Sequence, residues 1–393
     1  MKRASYVRGG LRAAFGLFLV VAVGCSSVPL MMNGGQSGAA EGGPAGVAGA
    51  DSESGGAAGE PEGGSIRVVN VFDQIPQFGI YTDSDPPDYS PPNGVVSWSH
   101  GTEYVRKLSS RQRAQLGADF AVRVSYYAQC DEYDRLGSVF LLLEPTDQGP
   151  EPTDPRIELV RFITPFSDFT QGALATLVYP DADARAYSRT LADPTHDVWI
   201  GIAGGSNPHA GDACSKQDGA LRAGVTAEFA RVGFRYSVDL VSTQPSDAGP
   251  SLVLPGISKT DVTRVPVEAT LSNPGDAISG RVTVIVSGHG SAAGGDEYRY
   301  TKDSVTLNGS EIGAFRTKVD CARYAAFSPR GNPNLFEDNQ LGNPRNWCPG
   351  AVIPAHSFEV QLAPGENTVG VGMVPSEVPE GSYYSVSLAF SSP

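Results

Sequence analysis

The sequence predicts an all-β protein built from two antiparallel sandwiches in tandem. Apolar and polar side chains alternate over short runs, as in residues 120–126, where Phe120, Val122 and Val124 share one face. Strict alternation with a period of two is typical of half-buried antiparallel strands. The chain also contains 47 glycines and 30 prolines, whereas only 18% of its residues are charged. Such a composition suits many short strands joined by turns.

The same alternation recurs in residues 234–240, 282–286, 358–362 and 384–390. Only residues 104–116 look weakly helical, and we interpret them as an insertion between strands. A stretch rich in Pro, Gly and Ser over residues 242–258 indicates the junction between the two halves. We therefore place the first sandwich at residues 65–245 and the second at residues 262–393.

The first residues of the chain are predicted to form an export signal. A basic N-terminal segment precedes an apolar run over residues 13–23, which is too short for a transmembrane helix of about 20 residues. Residues 22–25 (AVGC) resemble a bacterial lipobox. We therefore expect residues 1–25 to be a signal peptide and Cys25 to be lipidated. An ordinary secretory signal with an incidental cysteine is the alternative.

Residues 26–64 consist mainly of Gly, Ala, Ser, Glu and Pro, and they cannot bury enough apolar surface to offset the entropy of ordering. They are predicted to form a disordered tether. Because no aspartate follows Cys25, we expect an exported lipoprotein that is anchored in the outer membrane, either on the periplasmic side or at the cell surface. We also expect the protein to be a monomer. The formal net charge is −14, so the surface repels phosphate backbones and we expect no nucleic-acid partner.

Four cysteines remain once Cys25 is set aside, and an even number in an exported protein indicates disulfides. Four cysteines allow three pairings. The pairing that keeps each bridge within one half joins Cys130 to Cys214 and Cys321 to Cys348. Free buried thiols are the alternative. A zinc site is disfavoured because the sequence contains no C-x-x-C spacing.

Two strings place polar chemistry at the ends of predicted strands. Residues 130–135 (CDEYDR) put three carboxylates and an arginine directly after a strand, which is costly unless these groups pair or bind a ligand. Residues 287–290 (SGHG) end another strand in a glycine-rich loop that leads to Glu297 and Tyr298. Backbone and an aromatic ring can approach a ligand there. Each string by itself is also compatible with an ordinary solvated loop.

Five motifs, in the same order, resemble those of the peptide:N-glycosidase F family. Residues 130–135 (CDEYDR), 161–166 (RFITPF), 236–239 (YSVD), 287–290 (SGHG) and 347–350 (WCPG) are similar to the family's CDEWDR, RFITPY, YSVDF, SGWG and GWCPG. The resemblance covers most of residues 65–393. It implies two eight-stranded jelly rolls side by side, with the active site at their interface. The same double sandwich is shared with copper- and ascorbate-dependent monooxygenases.

The resemblance also implies an activity. Members of the family are hydrolases that cleave the amide between asparagine and N-acetylglucosamine in N-linked glycoproteins and glycopeptides, and they need no metal or other cofactor. By position, Asp134 matches the principal catalytic acid and Glu297 the second carboxylate. Arg345 matches an arginine before the WCPG element, with one residue fewer between them. Cys321 and Cys348 match a family disulfide, whereas Cys130 matches a cysteine whose local partner is missing here.

This correspondence gives each candidate residue a role. Asp134 is expected to act as the base or to orient water, Glu297 to hold the first sugar, and Arg345 to stabilise the developing oxyanion. Tyr133 replaces a family tryptophan, and Tyr133 or Tyr298 is expected to stack on the apolar face of the sugar. The candidate substrate-binding residues are Tyr133, Arg135, Ile163, His289, Tyr298 and Trp347.

One departure from the family leaves other functions open. The family has a third acid in a TETW-like segment, and residues 200–206 (IGIAGGS) contain no acid. An insertion over residues 207–224 follows, and Asp212 or Glu228 is a candidate substitute. A non-catalytic lipoprotein that binds glycans or proteins, and a copper-dependent monooxygenase, are therefore the alternatives. The five histidines form no His-His or His-x-His pair, which disfavours copper and leaves only His289 as a candidate ligand.

Overall fold

The computed structural model describes residues 66–79, 89–145, 148–208, 211–216, 218–243, 252–290, 297, 299–331, 335, 345–374 and 381–392. Helices within these ranges are short: α1 (Ser110–Arg113), α2 (Ser188–Ala192), α3 (Ala227–Ala230), and 3-10 helices at Phe169–Ala175, Arg185–Tyr187 and Ala322–Phe327. In this part of the chain, no helix is long and apolar enough to span a membrane.

The first sandwich contains the first ten strands of the described chain. They are β1 (Arg67–Phe78), β2 (Val95–Trp98), β3 (Glu103–Lys107), β4 (Ala121–Ala128), β5 (Leu136–Pro145), β6 (Ile157–Ile163), β7 (Thr176–Val178), β8 (Ala182–Asp183), β9 (His196–Gly204) and β10 (Val232–Ser242). One antiparallel sheet has the order β1–β10–β4–β7, with β8 also paired to β4, and the other contains β6–β5–β9–β3–β2.

The second sandwich follows with nine more strands, one of which crosses over. They are β11 (Val253–Val262), β12 (Val267–Asn273), β13 (Ile278–His289), β14 (Lys302–Leu307), β15 (Ser310–Arg316), β16 (Val352–Ile353), β17 (His356–Leu362), β18 (Gly365–Val374) and β19 (Tyr383–Ser391). Its two sheets have the orders β11–β19–β13–β17 and β12–β18–β14–β15. The strand β16 instead pairs with β6 of the first sandwich.

The two-residue periodicity explains where each core lies. In β10, Phe234, Tyr236 and Val238 are fully buried, and they pack with β4 and β9 in the first core. In β13, Val282, Val284 and Val286 are buried between the sheets of the second sandwich. Burying one side chain of this size contributes about 1.5–3 kcal/mol. The predicted all-β double sandwich is confirmed.

Several details differ from the sequence-based expectation. Residues 104–116 are not one helix: Tyr104 and Val105 lie in β3 and are fully buried, and only Ser110–Arg113 is helical. Burial on the strand outweighs the weak helical pattern. The second sandwich has eight strands of its own, whereas the first has ten, because the short strands β7 and β8 extend it. The strand β11 begins at Val253, before residue 262.

A buried ion pair of the first sandwich makes hydrogen bonds to the second. Arg161 and Glu158 lie on β6, and Arg161 is 0% exposed. Arg161 donates to the Ser385 carbonyl at 2.6 Å and to Ser287 Oγ at 3.0 Å. Glu158 accepts from Ser387 Oγ at 2.6 Å. Both charges of the pair are therefore hydrogen-bonded to β13 and β19, which fixes the first sandwich against the second.

Candidate active site

The acidic loop between β4 and β5 is held in place by Thr164, the residue after β6. Thr164 Oγ1 accepts a hydrogen bond from the Arg135 amide at 2.7 Å and donates to the Tyr133 carbonyl at 3.2 Å. The Thr164 amide donates to the Arg135 carbonyl at 2.8 Å. The main chain is thus fixed on both sides of Asp134, so the loop presents that carboxylate in one orientation.

The first two acids of this loop have structural partners. Asp131 is buried and accepts from Arg135 Nε at 2.7 Å and from the Asn207 amide at 2.6 Å. Glu132 accepts from Arg330 Nη2 at 2.8 Å and from the Asp212 amide at 2.9 Å. These contacts tie the loop to the 207–224 insertion. The third acid of the loop, Asp134, is the one on which the charge of Glu297 acts.

Asp134 has a strongly perturbed carboxyl group. Its pKa is raised to about 7: burial is the largest cause, the negative charge of Glu297 acts in the same direction, and Arg345 and Arg135 oppose the shift. The charged groups that act on Asp134 therefore come from both sandwiches. A carboxyl group with a pKa near neutrality can accept and release a proton at physiological pH, which is a property of general acid–base sites.

Glu297 lies against Arg345. Arg345 Nε donates to the Glu297 carbonyl at 2.9 Å, and Arg345 Nη2 lies 3.9 Å from Glu297 Oε2. The Glu297 side chain is 21% exposed, whereas that of Arg345 is only 1% exposed and lies over the ring of Trp347 at 4.5 Å. Burial raises the pKa of Glu297 and Arg345 lowers it. Arg345 thus acts on the site through its charge, because it has almost no surface to offer an oxyanion directly.

Ile163 and Trp347 lie together in an apolar cluster with Ile285 and Ile353, at the contact between the sandwiches. The Ile163 amide donates to the Ala351 carbonyl at 2.9 Å. Trp347 Nε1 donates to the Gly288 carbonyl at 2.5 Å. Both side chains are almost fully buried. They therefore support the wall of the site and offer little surface to a sugar.

His289 is buried at the end of β13, stacked between the rings of Tyr383 and Trp347 at 5.1 and 5.7 Å. Its Nε2 lies 2.8 Å from Ser287 Oγ, which also accepts from Arg161. Burial, aided by the nearby positive charges of Arg161, Lys259 and Arg345, lowers the pKa of His289 to about 3, so the ring is neutral at physiological pH. Among the described residues, no group of three or more His, Cys, Asp or Glu side chains is arranged to hold a metal ion.

Tyr133, unlike the buried residues of the wall, is accessible to a ligand. Tyr133 is 49% exposed and makes an edge contact with Phe166, while the guanidinium of Arg135 lies 5.7 Å from its ring. An exposed aromatic ring next to Asp134 is suited to stacking on a sugar. Tyr298 lies outside the described residues, as do Cys25 and the whole of residues 1–64.

The third acid of the resembling family has no counterpart on β9, as the sequence indicates. Ile200 and Ile202 are fully buried in the first core. Ser206 Oγ, also buried, donates to the carbonyls of Gln77 and Phe78 at 2.9 Å. Asp212 binds Arg330 at 2.9 Å and is 56% exposed, and Glu228 is exposed on α3. Neither is among the groups that shift the pKa of Asp134.

Both expected disulfides are present. Cys130 is bonded to Cys214 and Cys321 to Cys348, with Cα–Cα distances of 5.3 Å in each case. The first bridge links the insertion to the start of the acidic loop. The second lies beside Trp347, so each disulfide anchors a segment next to the candidate site.

Sequence reasoning missed Asn346, which lies between Arg345 and Trp347. It is 2% exposed, and its side chain and amide contact three separate segments. The only signal in the sequence was its position directly before the WCPG element, where the resembling family motif has glycine.

Comparison with known proteins is consistent with this geometry. Residues 257–391 match the sequence family described as peptide-N-glycosidase F, C terminal. The chain is similar to the structure of PNGF-II, with a TM-score of 0.60 and 20% identity, over 83% of this chain and 65% of that one. It is also similar to PNGase F, a glycosylasparaginase from Flavobacterium meningosepticum, with a TM-score of 0.51 and 16% identity, over 84% and 96% of the two chains. No curated protein sequence matches.

Proposed function

We propose that this chain, which is PNGase F-like in its fold and in its C-terminal sequence family, is an amidase that cleaves the bond between asparagine and the first N-acetylglucosamine of N-linked glycans. The chain spans less than two thirds of PNGF-II. The activity, substrates and partners of such relatives are therefore proposals here.

The observation that carries the proposal is the pairing of Asp134 with Glu297. The two carboxyl groups come from different sandwiches, burial raises the pKa of both, and Arg345 opposes both shifts. Pairs of acids held in such surroundings are typical of sites that move protons.

In the reaction that we propose, ionised Asp134 takes a proton from a water molecule. The water oxygen attacks the side-chain amide carbon of the glycosylated asparagine, and the carbonyl oxygen becomes negatively charged. The carbon–nitrogen bond then breaks. The nitrogen takes up the proton that Asp134 removed from water and leaves as the glycosylamine, which returns Asp134 to its ionised form. The peptide retains an aspartate. The positive charges of Arg345 and Arg135 favour the negatively charged transition state through space.

Recognition of the glycan is assigned to groups around this pair. Glu297 is partly exposed and its carboxylate can accept hydrogen bonds from sugar hydroxyl groups. Tyr133, which is exposed beside Asp134, can stack on the apolar face of a sugar ring. Ile163, Trp347 and His289 form the wall behind them. No cofactor takes part in the proposed reaction.

The absence of an acid from the segment at β9 favours a second candidate function, glycan binding without cleavage. Because Ile200–Ser206 supplies no acid, the chain can be a surface lipoprotein that binds N-glycans without cleaving them. Both functions are compatible with export: we propose that Cys25 is lipidated, that residues 26–64 form a tether, and that the folded part lies outside the cytoplasm in an oxidising compartment. The two disulfides support such a compartment.

Incubation with a defined N-glycopeptide, followed by mass spectrometry, tests the proposal. The amidase converts the glycosylated asparagine to aspartate and releases the intact glycan. A peptide recovered with its glycan still attached, from a protein that binds the same glycopeptide, supports the binding function instead.

A further inference from the structure

We propose that Asn346 is the positioning residue of the candidate site: it holds Glu297, and with it Arg345, in the orientation that acts on Asp134. The inference rests on the proposed function of Asp134 and Glu297. It concerns a residue that the sequence motifs do not single out, and it assigns to that residue a role through its neighbours and no contact with substrate.

The hydrogen bonds of Asn346 connect three segments. Its Oδ1 accepts from the Gly288 amide at 2.9 Å, at the end of β13. Its Nδ2 donates to the Arg299 carbonyl at 3.2 Å and to Thr317 Oγ1 at 3.1 Å. With 2% of its surface exposed, Asn346 cannot replace these partners with water. Buried polar groups that lose a partner are costly, so the three bonds fix the segments relative to one another.

Glu297 lies within this network. Its carbonyl accepts hydrogen bonds from two consecutive residues, from Arg345 Nε at 2.9 Å and from the Asn346 amide at 3.4 Å. Two residues further along the chain, the Arg299 carbonyl accepts from Asn346 Nδ2. The main chain around Glu297 is thus held at two points by Asn346, and the same residue fixes the neighbouring Arg345 through the covalent chain.

The asparagine side chain is essential to this arrangement. In the resembling WCPG motif the preceding residue is glycine, which has no side chain with which to bind Gly288, Arg299 or Thr317. This chain therefore positions Glu297 through an asparagine side chain that the family motif does not have. The end of β13 is equally constrained on its other side, because Gly290 has a φ of 111° and a Cβ atom there would lie 2.7 Å from Ser382.

Loss of the Asn346 side chain is predicted to lower the pKa of Asp134. When the segment that carries Glu297 loosens, the negative charge of Glu297 moves away from Asp134 and water enters. Both changes lower the pKa of Asp134, because burial and Glu297 are the two causes that raise it. A residue that serves stability alone leaves the pKa of Asp134 unchanged.

Asn273 provides a matched control. It is also a buried asparagine of the second sandwich, at 3% exposure, and it also makes three side-chain hydrogen bonds, to Asp276, Ala363 and Gly275. It lies at the end of β12, close to the beginning of β13, whereas Asn346 binds the end of β13. Asn273→Ala therefore removes three comparable side-chain bonds in the turns that precede β13 and β18, none of which involves Glu297, Arg299 or Arg345.

The experiment measures the pKa of the Asp134 carboxyl group by carbon-13 NMR titration in the wild type, Asn346→Ala and Asn273→Ala, together with the melting temperature. Thr317→Val, which removes one acceptor of Asn346, is the milder variant if Asn346→Ala does not fold. We expect a lower pKa of Asp134 in Asn346→Ala and a smaller decrease in Thr317→Val, with no change in Asn273→Ala despite a similar loss of melting temperature.

Binding of an N-glycopeptide should also weaken by about tenfold in Asn346→Ala and stay unchanged in Asn273→Ala. An unchanged pKa of Asp134 in both Asn346→Ala and Thr317→Val overturns the inference, as does an equal decrease in Asn273→Ala. The titration needs no turnover, so a wild-type protein that fails to cleave glycopeptides refutes the amidase and leaves this test intact.

Discussion

The carboxylate of Glu297 raises the pKa of Asp134, although the two residues belong to different sandwiches. Asp134 follows β4 of the first sandwich and Glu297 follows β13 of the second. The perturbed carboxyl pair therefore exists only when the two sandwiches are correctly docked. Any change that loosens the docking separates the pair and restores ordinary pKa values.

The first prediction concerns the pH dependence of cleavage. The base must be ionised, so kcat/KM should rise with pH through a midpoint near pH 7, the pKa of Asp134. Glu297→Gln removes the negative charge that raises this pKa, and the midpoint should move to lower pH while the maximal rate also falls. A midpoint that is identical in the wild type and in Glu297→Gln would show that the two groups are not coupled.

The second prediction concerns stability. Because the pKa of Asp134 is about 7 in the folded protein and about 3.9 in unfolded chains, its contribution to stability is fully present below pH 4 and is lost as pH rises through 7. Asp134→Asn is neutral at every pH. Above pH 8 it should therefore exceed the wild type in free energy of unfolding by roughly 2–4 kcal/mol.

This stability difference should vanish near pH 4, as measured by urea denaturation at both pH values. Asp303→Asn is the control, because Asp303 is buried in the second sandwich and its pKa is likewise raised to about 7. It should show the same pH dependence of unfolding. A destabilised Asp134→Asn variant at pH 8 would contradict the assigned pKa.

A third prediction concerns the docking of the sandwiches. Arg161→Met leaves the Glu158 carboxylate buried without its partner, so it should reduce the free energy of unfolding by about 3–5 kcal/mol. Arg161→Met combined with Glu158→Leu should recover much of this loss.

The exposed pair Arg123–Asp181, whose side chains are 34% and 38% exposed, supplies the control for Arg161. Arg123→Met should cost less than about 1 kcal/mol. Urea unfolding of the four proteins checks both expectations, and equal losses in the buried and exposed variants would show that the interdomain pair has no special role.

A fourth prediction compares the disulfides. Cys130–Cys214 closes 84 residues of chain and Cys321–Cys348 closes 27. The entropy that a bridge removes from the unfolded chain grows with loop length, so replacing the first pair with alanine should cost about 1 kcal/mol more than replacing the second. Thermal and urea unfolding of the two double variants measure the difference. A larger loss from the shorter loop would indicate that native contacts around Trp347 dominate.

Much of the fold could be predicted because burial repeats along the strands. Phe234, Tyr236 and Val238 alternate with polar residues, and this pattern reports directly which side faces the core. The pattern failed at residues 104–116, because β3 is short and both of its faces are covered. Tyr104 packs in the first core, and Val105 packs on the other face with Phe140 and Leu142. The conformation of such a segment depends on residues that are distant in the sequence, and the local periodicity carries no information about them.

The candidate site was predictable only in part for the same reason. The acidic string 130–135 was visible, but the sequence did not show that Asp131 pairs with Arg135 and Asn207, or that Glu132 pairs with Arg330. Those partners become neighbours only in the folded chain. The burial of Arg345 and of His289 likewise depends on the contact between sandwiches, which no local motif encodes.

The most direct test of the account compares cleavage of an N-glycopeptide by the wild type and by Asp134→Asn. Asparagine keeps the shape of the side chain and removes the proton acceptor. Cleavage should therefore fall by about 10²–10⁴-fold, while the dissociation constant for the glycopeptide stays within about threefold, since asparagine can still form hydrogen bonds.

Asp303→Asn, which neutralises an equally perturbed carboxyl group inside the second sandwich, controls for changes in stability and should cleave at the wild-type rate. A wild-type protein that cleaves the glycopeptide no faster than Asp134→Asn would contradict the amidase, and retained binding in both would identify the chain as a glycan-binding lipoprotein.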